Sequence, residues 1–573
     1  DLEKQEEAKR LFQKTIEIQP EFAEAYANLG IIFKDELDLG KSLIYISKAI
    51  NLLPTKNYFY NELAELLMLA NFNLKEKEIR NILNFLLTRK EIKHSLIFNQ
   101  IVKLYDKKRI YSKINSKNNL LFDDDFNLML KDKILLNSLK IIIFSEKNLE
   151  LLLRKARKDT LNLLSRKDYT LHNYQQKFII SLAFQCYLNE YVYFITKEEL
   201  DNLEKIISDF PKNKDNKSLI PIICCYIPLS EAIKRLPVIE QMISANKDLI
   251  NLKDLQLTNK IKEKNLSNKI QSMGKINNLI TLKVQEQYES NPYPIWIYNT
   301  SSKDKKFNNL EAVNKRTRNP ILFKEYLPKE KLKILIAGCG TGQQILLAQR
   351  YKNADIIAID ISSKSLAYAQ RKLDEYQIKN VKLIQMDILE IEILKEKFDI
   401  IECVGVLHHM ENPLDGFEKL IKILKNDGFM LIGLYSKKAR ATIQKAKEYI
   451  SLNNLKPNPN EIRKFRENIF SNKLKEFSSI AQISDFYTIS ECRDLCFHSQ
   501  EHQFTLNNIE EILKINNLKF LGFNILPHIK SLYKNMFPED ETQLSLKNWM
   551  KLETEHPKVF LGMYQFWVCK TKI

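Results

Sequence analysis

Glycine is nearly missing from the first half of this chain. Of its 12 glycines in 573 residues, only Gly30, Gly40 and Gly274 precede residue 331. Helices disfavour glycine, whereas the tight turns of an α/β fold require it. The first half is therefore predicted to be almost entirely helical and the second half α/β. Also missing is any apolar run long enough to cross a bilayer; the longest candidate, "SLIPIICCYIPL", is short and broken by proline. The eight cysteines, at Cys186, Cys224, Cys225, Cys339, Cys403, Cys492, Cys496 and Cys569, form no C-x-x-C pair and show no framework spacing. That excludes a disulfide scaffold, and free, mostly buried thiols in a reducing cytoplasm are the expected state. The net charge is +18 and the pI near 9.2. Its lysines are scattered, as in "RNILNFLLTRKEIKHS", where they mark the wet face of a helix. Without a basic stripe, nucleic acid is not an expected partner. Asp1 falls inside a helical pattern, so a natural start upstream of it is expected.

What is present begins with a repeat. Pro20 and Pro54 lie one 34-residue period apart, and Tyr26, Leu29, Gly30, Phe33, Ile46 and Ala49 occupy helix-pair packing positions between them. Ala8 and Phe12 fit the end of a truncated preceding unit. This stretch resembles tetratricopeptide repeats, with Tyr26 at the usual tryptophan position and Ser42 replacing the usual alanine. The resemblance implies a concave surface that docks a protein or peptide. A helical domain of amphipathic and aromatic text follows, in which Phe184, Tyr187, Tyr191, Tyr193 and Phe194 read as core.

The chemistry starts at residues 333–342, "KILIAGCGTG", where a short apolar strand runs into Gly338, Gly340 and Gly342 and then a helix. Such a turn brings backbone N–H groups close to a ligand. A second strand, "ADIIAIDIS", ends in Asp360, placed to accept from both hydroxyls of a ribose. A third, "VKLIQMDIL", ends in Asp387. The fourth, "FDIIECVGVLHHM", carries Gly405–His409, and the fifth is "LKNDGFMLIGLYS". The loop is G-x-G-x-G rather than the G-x-G-x-x-G of dinucleotide dehydrogenases, and no Gly-Lys-Ser/Thr follows to make a phosphate loop.

Glycine loop, second-strand acid, third-strand acid and fourth-strand "LHH" together resemble the class I S-adenosylmethionine-dependent methyltransferases. The whole chain resembles bacterial proteins in which tetratricopeptide repeats precede such a domain. The resemblance implies a seven-stranded sheet with helices on both faces and an antiparallel last strand. It implies S-adenosylmethionine as cofactor, held by Gly338, Cys339, Gly340, Thr341 and Gly342, by Asp360 and Ile361, by Asp387 and Ile388, and by Val404 and Gly405. One departure is Ile336, where the family often has an acid, so the partner of the donor's ammonium is left open. The nucleobase-type Asn/Asp-Pro-Pro-Tyr/Phe clamp is absent. "NPYP" at Asn291–Pro294 precedes the first strand and reads as a lid or linker, with Tyr288, Tyr293 and Trp296 to cover the cofactor.

The expected architecture is thus multidomain: 1–88 tetratricopeptide-like helices, 89–280 a helical domain, 281–330 an aromatic lid or linker, 331–436 the Rossmann-like cofactor core, 437–515 a helical insert, and 516–573 the final strands. Inserts at the carboxyl ends of the strands meet ligands, and this one packs many polar groups into "DFYTISECRDLCFHSQEHQFT". Tyr487, Glu491, Arg493, His498 and His502 are candidate acceptor-site residues, with His408 and His409 as candidate bases. His498–His502 also spells H-x-x-E-H, a zinc-peptidase pattern, but the surrounding methyltransferase sheet makes acceptor chemistry the better reading, and no metal is expected. The expected function is methyl transfer to an unidentified protein or small polar metabolite. The alternative is a non-enzymatic scaffold that keeps the cofactor fold as structure. Intact glycines, Asp360 and Asp387 weigh against the latter.

Overall fold

The computed structural model describes residues 2–69, 72, 74–105, 107–166, 169–212, 218–301, 306–317 and 329–570. Helices occupy the glycine-poor half. The first are Leu2–Ile18, Ala23–Asp35, Leu39–Leu52, Asn57–Leu69 and Glu76–Leu86. Gly30 lets two of them touch: a Cβ there would lie 2.7 Å from Cγ1 of Ile46. Ser42 Oγ donates to the Gly30 carbonyl at 2.6 Å, and Asp38 caps the helix Leu39–Leu52 by accepting from Lys41 N–H at 3.1 Å. Leu29, Phe33, Ile46 and Ala49 are buried between them.

The α/β half forms one sheet of eight strands: β1 Gln271–Ser272, β2 Leu332–Ala337, β3 Ala354–Asp360, β4 Val381–Gln385, β5 Phe398–Val404, β6 Leu424–Tyr435, β7 Leu518–Phe523 and β8 Met563–Lys570. Their order is β1-β4-β3-β2-β5-β6-β8-β7. All neighbours are parallel except β8, which runs antiparallel to both β6 and β7. The chain order reverses beside β2, and an open α/β sheet binds its ligands at such a switch point, outside the strands' carboxyl ends. β2, β3 and β5 are short, near-continuous apolar runs because helices cover both faces. The sheet has one strand more than expected. β1, from the end of the helical half, pairs through Gln271 and Ser272 with Ile384 and Gln385 and covers the open edge of β4.

The insert helices Ala441–Leu452, Pro459–Phe470 and Ile489–Phe497 pack away from the sheet. Their buried Ile443, Ile462, Phe465, Ile469, Cys492 and Phe497, with Phe486 from the turn Ser484–Tyr487, belong to the same apolar core as residues from Ala23 to Leu252. A buried ion pair fastens the junction. Arg466 forks onto Glu150 at 3.2 and 2.6 Å, with both side chains out of solvent, and donates again to the Phe486 carbonyl at 2.7 Å. By packing, the helical unit is therefore discontinuous in sequence, and the insert bridges it to the sheet.

Candidate active site

Where β2 ends, Gly338, Gly340 and Gly342 take φ of +73°, +50° and +93°, a region that β-carbons disfavour. Space forbids a side chain too: a Cβ on Gly340 would stand 2.7 Å from the Tyr293 carbonyl oxygen, and one on Gly338 2.3 Å from Val406. The loop is tied to β3 by Gly338 and Cys339 N–H donating to the Ile359 carbonyl at 2.8 and 2.9 Å. Asp360 accepts from Gly340 N–H at 2.8 Å and from Ser362 N–H at 2.9 Å. Each carboxylate oxygen keeps a further lone pair. Burial pushes the Asp360 carboxyl up to about 6. Asp387 caps the turn after β4 through Leu389 N–H at 3.0 Å, and burial raises its carboxyl as well.

These residues open into one cavity of ≈ 270 Å³. Of the expected cofactor contacts, Gly338, Cys339, Gly340, Asp360, Ile361, Asp387, Ile388, Val404 and Gly405 line it. Thr341 and Gly342 do not. Thr341 turns back to donate to the Pro294 carbonyl and accept from Trp296 Nε1 at 3.2 Å, while Gly342 backs onto Ala369 at the start of the following helix. They support the loop from behind.

The segment before the sheet closes the cavity. Asn278 caps the helix Leu279–Ser290, which turns Thr281, Val284 and Tyr288 inward, and Tyr293 and Pro294 follow. Gln285 donates to the Ile361 carbonyl at 2.9 Å, and Glu289 accepts from Ser363 N–H at 2.5 Å. Trp296, expected to cover the cofactor, is instead buried behind the glycine loop against Tyr368 and Tyr376.

The far end of the cavity is lined by His409, Met410, Tyr435, Asp494 and Met563 together with Tyr288 and Tyr293. Tyr288 donates its hydroxyl to Asp494 Oδ1 at 2.8 Å. The His409 Nδ1 contact to the Gln500 carbonyl, 2.9 Å, assigns the proton to Nδ1 and leaves the Nε2 lone pair free. Burial pulls the His409 imidazole below its ordinary value, so the neutral ring dominates at pH 7. His408 does not reach the cavity. It stacks on Tyr435 at 3.7 Å, and neither of its ring nitrogens has a hydrogen-bond partner among the described residues. Arg440 lies 3.7 Å from the Tyr435 ring and fixes it.

The H-x-x-E-H residues do not converge. Glu501 is claimed by Arg440, at 2.9 and 2.8 Å, and by Lys447 at 2.6 Å. Burial alone would raise its carboxyl, but the two cations outweigh that and hold it down at about 2. His502 turns to the Glu411 carbonyl at 3.1 Å. His498 packs beneath His409, ring centroids 3.9 Å apart. His409, Asp494 and His498 offer donor atoms within 4.8 Å of one another, formally two imidazoles and a carboxylate. The His498 ring speaks against a metal, however. Gln500 N–H donates to its Nδ1 at 3.1 Å, so the neutral ring carries its proton on Nε2, the atom facing Asp494 at 3.9 Å.

Three further candidates also face elsewhere. Tyr487 donates to the Ala481 carbonyl at 2.7 Å inside the helical core. Arg493 donates to the Pro457 carbonyl at 3.0 Å, and Glu491 accepts from Thr488 Oγ1 at 3.2 Å at its own helix start. Asp494, in the same quoted stretch, is the one of its polar residues that lines the cavity. Tyr435 and Met563 carried no sequence signal, because only the sheet pairing of Tyr435 with Met563 brings them to the cavity.

Residues 328–476 match the family model described as "Methyltransferase domain". Among curated proteins the chain is 31% identical over 201 residues to an uncharacterised protein of Synechococcus sp., covering 34% of this chain and 48% of that one. It is 31% identical over 133 residues to malonyl-[acyl-carrier protein] O-methyltransferase of Acetivibrio thermocellus, covering 23% and 46%. A third relative, the ubiquinone biosynthesis O-methyltransferase of Rickettsia bellii, is 26% identical over 246 residues, covering 42% and 95%. The chain spans about half the length of the first curated relatives it matches. Among solved structures, PKMT2 from Rickettsia typhi in complex with AdoHcy aligns with a TM-score of 0.37 at 17% identity, over 46% of this chain and 53% of that one. With the sheet order and glycine loop already described, the family match identifies residues 328–476 as a class I, S-adenosylmethionine-dependent methyltransferase domain.

Proposed function

We propose that the protein transfers a methyl group from S-adenosylmethionine to an acceptor that enters beside His409 and Asp494. The observation that carries this reading is the single cavity. One end holds the strand-end glycines and two carboxylates, and the other holds a neutral histidine, an aspartate and tyrosines. The residues fit the cofactor: Asp360 offers lone pairs to vicinal ribose hydroxyls, Asp387 stands beside the apolar Met386 and Ile388 for an adenine, and glycines 338 and 340 leave no side chain in the way. When bound, S-adenosylmethionine supplies an electrophilic methyl carbon on a sulfonium. The chain's own tasks are alignment and exclusion of water, performed by the Leu279–Ser290 lid and by Tyr293. His409 Nε2 is the free base at the acceptor end.

The helices of residues 2–86 dock a protein partner or substrate in this reading. What supports it is the 34-residue period and the close hairpin at Gly30. No described helix is long and apolar enough to cross a membrane, and a cytoplasmic setting is part of the proposal. To test the core of the reading, S-adenosylhomocysteine binding is measured by calorimetry for the protein and for Asp360→Ala. Binding that disappears in the variant is expected; absence of binding in the parent protein sinks the reading. Methyl-labelled S-adenosylmethionine with a cell extract then sorts the acceptor, label in protease-sensitive material indicating a protein and label in the low-mass fraction a metabolite.

A further inference from the structure

We propose that the acceptor is an amine, recognised as a cation by Asp494 beside the rings of Tyr288 and Tyr293. This inference rests on the methyltransferase reading and gives its acceptor a chemical class. The cavity is lined by three carboxylates, Asp360, Asp387 and Asp494, and by no lysine or arginine among the described residues, in a chain of net charge +18. Asp360 and Asp387 stand at strand ends on the donor side. Asp494 comes from a different element, the insert helix Ile489–Phe497, and reaches the other end of the cavity. Its Oδ1 is fixed by the Tyr288 hydroxyl at 2.8 Å.

Tyrosine rings line the cavity beside this carboxylate. Tyr288 and Tyr293 are nearly parallel, 25° apart with centroids at 6.2 Å; Tyr435 lines the same cavity, but its ring faces are taken by His408 and Arg440. Aromatic rings around an anion are the usual receptor for an alkylammonium group, because the ring faces and the carboxylate both attract positive charge. Burial first, and then the Asp494 carboxylate, push the Tyr293 phenol upward. Arg440 and Lys447 are drawn onto Glu501 and do not line the cavity. An anionic acceptor would meet no partner here.

The chemistry closes on the same residues. The ammonium gives one proton to His409 Nε2, whose lone pair is free because Nδ1–H is bonded to Gln500. The amine nitrogen then forms the N–C bond with its lone pair as the S–C bond breaks, and sulfur keeps that electron pair as the neutral thioether. Asp494 offsets the positive charge that remains on nitrogen.

The test uses the full chain saturated with S-adenosylhomocysteine and titrates n-butylammonium against butan-1-ol, its neutral counterpart, by calorimetry. The expected result is a preference of at least tenfold for the ammonium, lost in Asp494→Asn and reduced several-fold in Tyr293→Leu, with S-adenosylhomocysteine affinity within twofold of the parent in Asp494→Asn. Equal affinity for the alcohol and the ammonium overturns the proposal while leaving the donor site intact. A tenfold loss of S-adenosylhomocysteine affinity in Asp494→Asn also overturns it, since the carboxylate would then serve the donor's own ammonium. Failure of S-adenosylhomocysteine to bind the parent protein removes both readings. Label transfer to n-butylamine or to a lysine-containing peptide, and not to a phenol or a carboxylic acid, separates small amines from protein side chains.

Discussion

Gly338, Gly340, Asp360, Asp387 and Val404 form the donor end of the cavity, and they follow one another along a single run of chain, each at the end of a strand. At the acceptor end, Tyr288 comes from the lid helix, His409 from the turn after β5, Tyr435 from the tip of β6, Asp494 from the insert and Met563 from the start of β8. The donor end is therefore a property of local backbone geometry within the sheet. The acceptor end depends on how the insert is held, and the insert is held by the helical half through Arg466 and Glu150. The helical region thus supports the insert that carries Asp494, without lining the cavity itself.

The largest expected effect breaks the two ends apart. Glu150→Ala leaves the Arg466 guanidinium buried without its counter-charge, which costs about 3–5 kcal/mol. Hydrogen exchange is expected to rise across residues 443–497, and turnover to fall, while S-adenosylhomocysteine affinity stays near that of the parent. Equal loosening of β2–β5 would contradict the separation. Gly340→Ala is the converse. Its Cβ would strike the Tyr293 carbonyl in a positive-φ backbone, a strain on the order of 1–3 kcal/mol. Calorimetry should register a loss of roughly ten- to hundredfold in S-adenosylhomocysteine affinity with little change in exchange over 443–497.

The same contrast explains what could be read from the sequence. Strand, glycine triplet and strand-end acids are short-range patterns with physical meanings of their own, so the helical-then-α/β division and most of the donor end were legible before any coordinates. Thr341 and Gly342 lie outside the cavity lining: adjacency in a loop does not say which side faces the cavity, and here Trp296 and Pro294 take the Thr341 side. At the acceptor end, the stretch Asp485–His502 stands out in sequence by its density of polar groups, but which of them reach the cavity depends on how the insert packs. Asp494 points to the cavity, while Tyr487 and Arg493 bond backbone carbonyls of the insert. Tyr435 and Met563 depend on a pairing between β6 and β8, strands separated by the whole insert. Such long-range register leaves no local mark.

A pH series sharpens the donor side further. With the Asp360 carboxyl at about 6, it is largely ionised at pH 7.5 and mostly protonated at pH 5, and only the ionised form accepts from both ribose hydroxyls. Donor affinity should fall about tenfold between those values and stay flat in Asp360→Asn. The linkage to stability has the opposite sense. A carboxyl raised in the folded state holds its proton more tightly than in the unfolded chain, so its contribution is present below the ordinary Asp value and is lost as pH rises through about 6. The unliganded protein is expected to soften over that window, and S-adenosylhomocysteine to restore it.

The smallest expected effect concerns Tyr487. Its hydroxyl bonds the Ala481 carbonyl at 2.7 Å and its ring packs with Phe470 and Phe486, inside the helical core and outside the cavity. Tyr487→Phe removes one hydrogen bond and keeps the ring, so about 1 kcal/mol of stability should be lost, read as a small drop in the urea midpoint. Turnover and both affinities should stay within twofold. A tenfold fall in kcat at unchanged stability would bring Tyr487 into the acceptor site and require the insert helix to turn relative to the sheet during catalysis. The acceptor end would then be assembled by motion as well as by packing, a dependence that the donor end, fixed by its own strand ends, does not share.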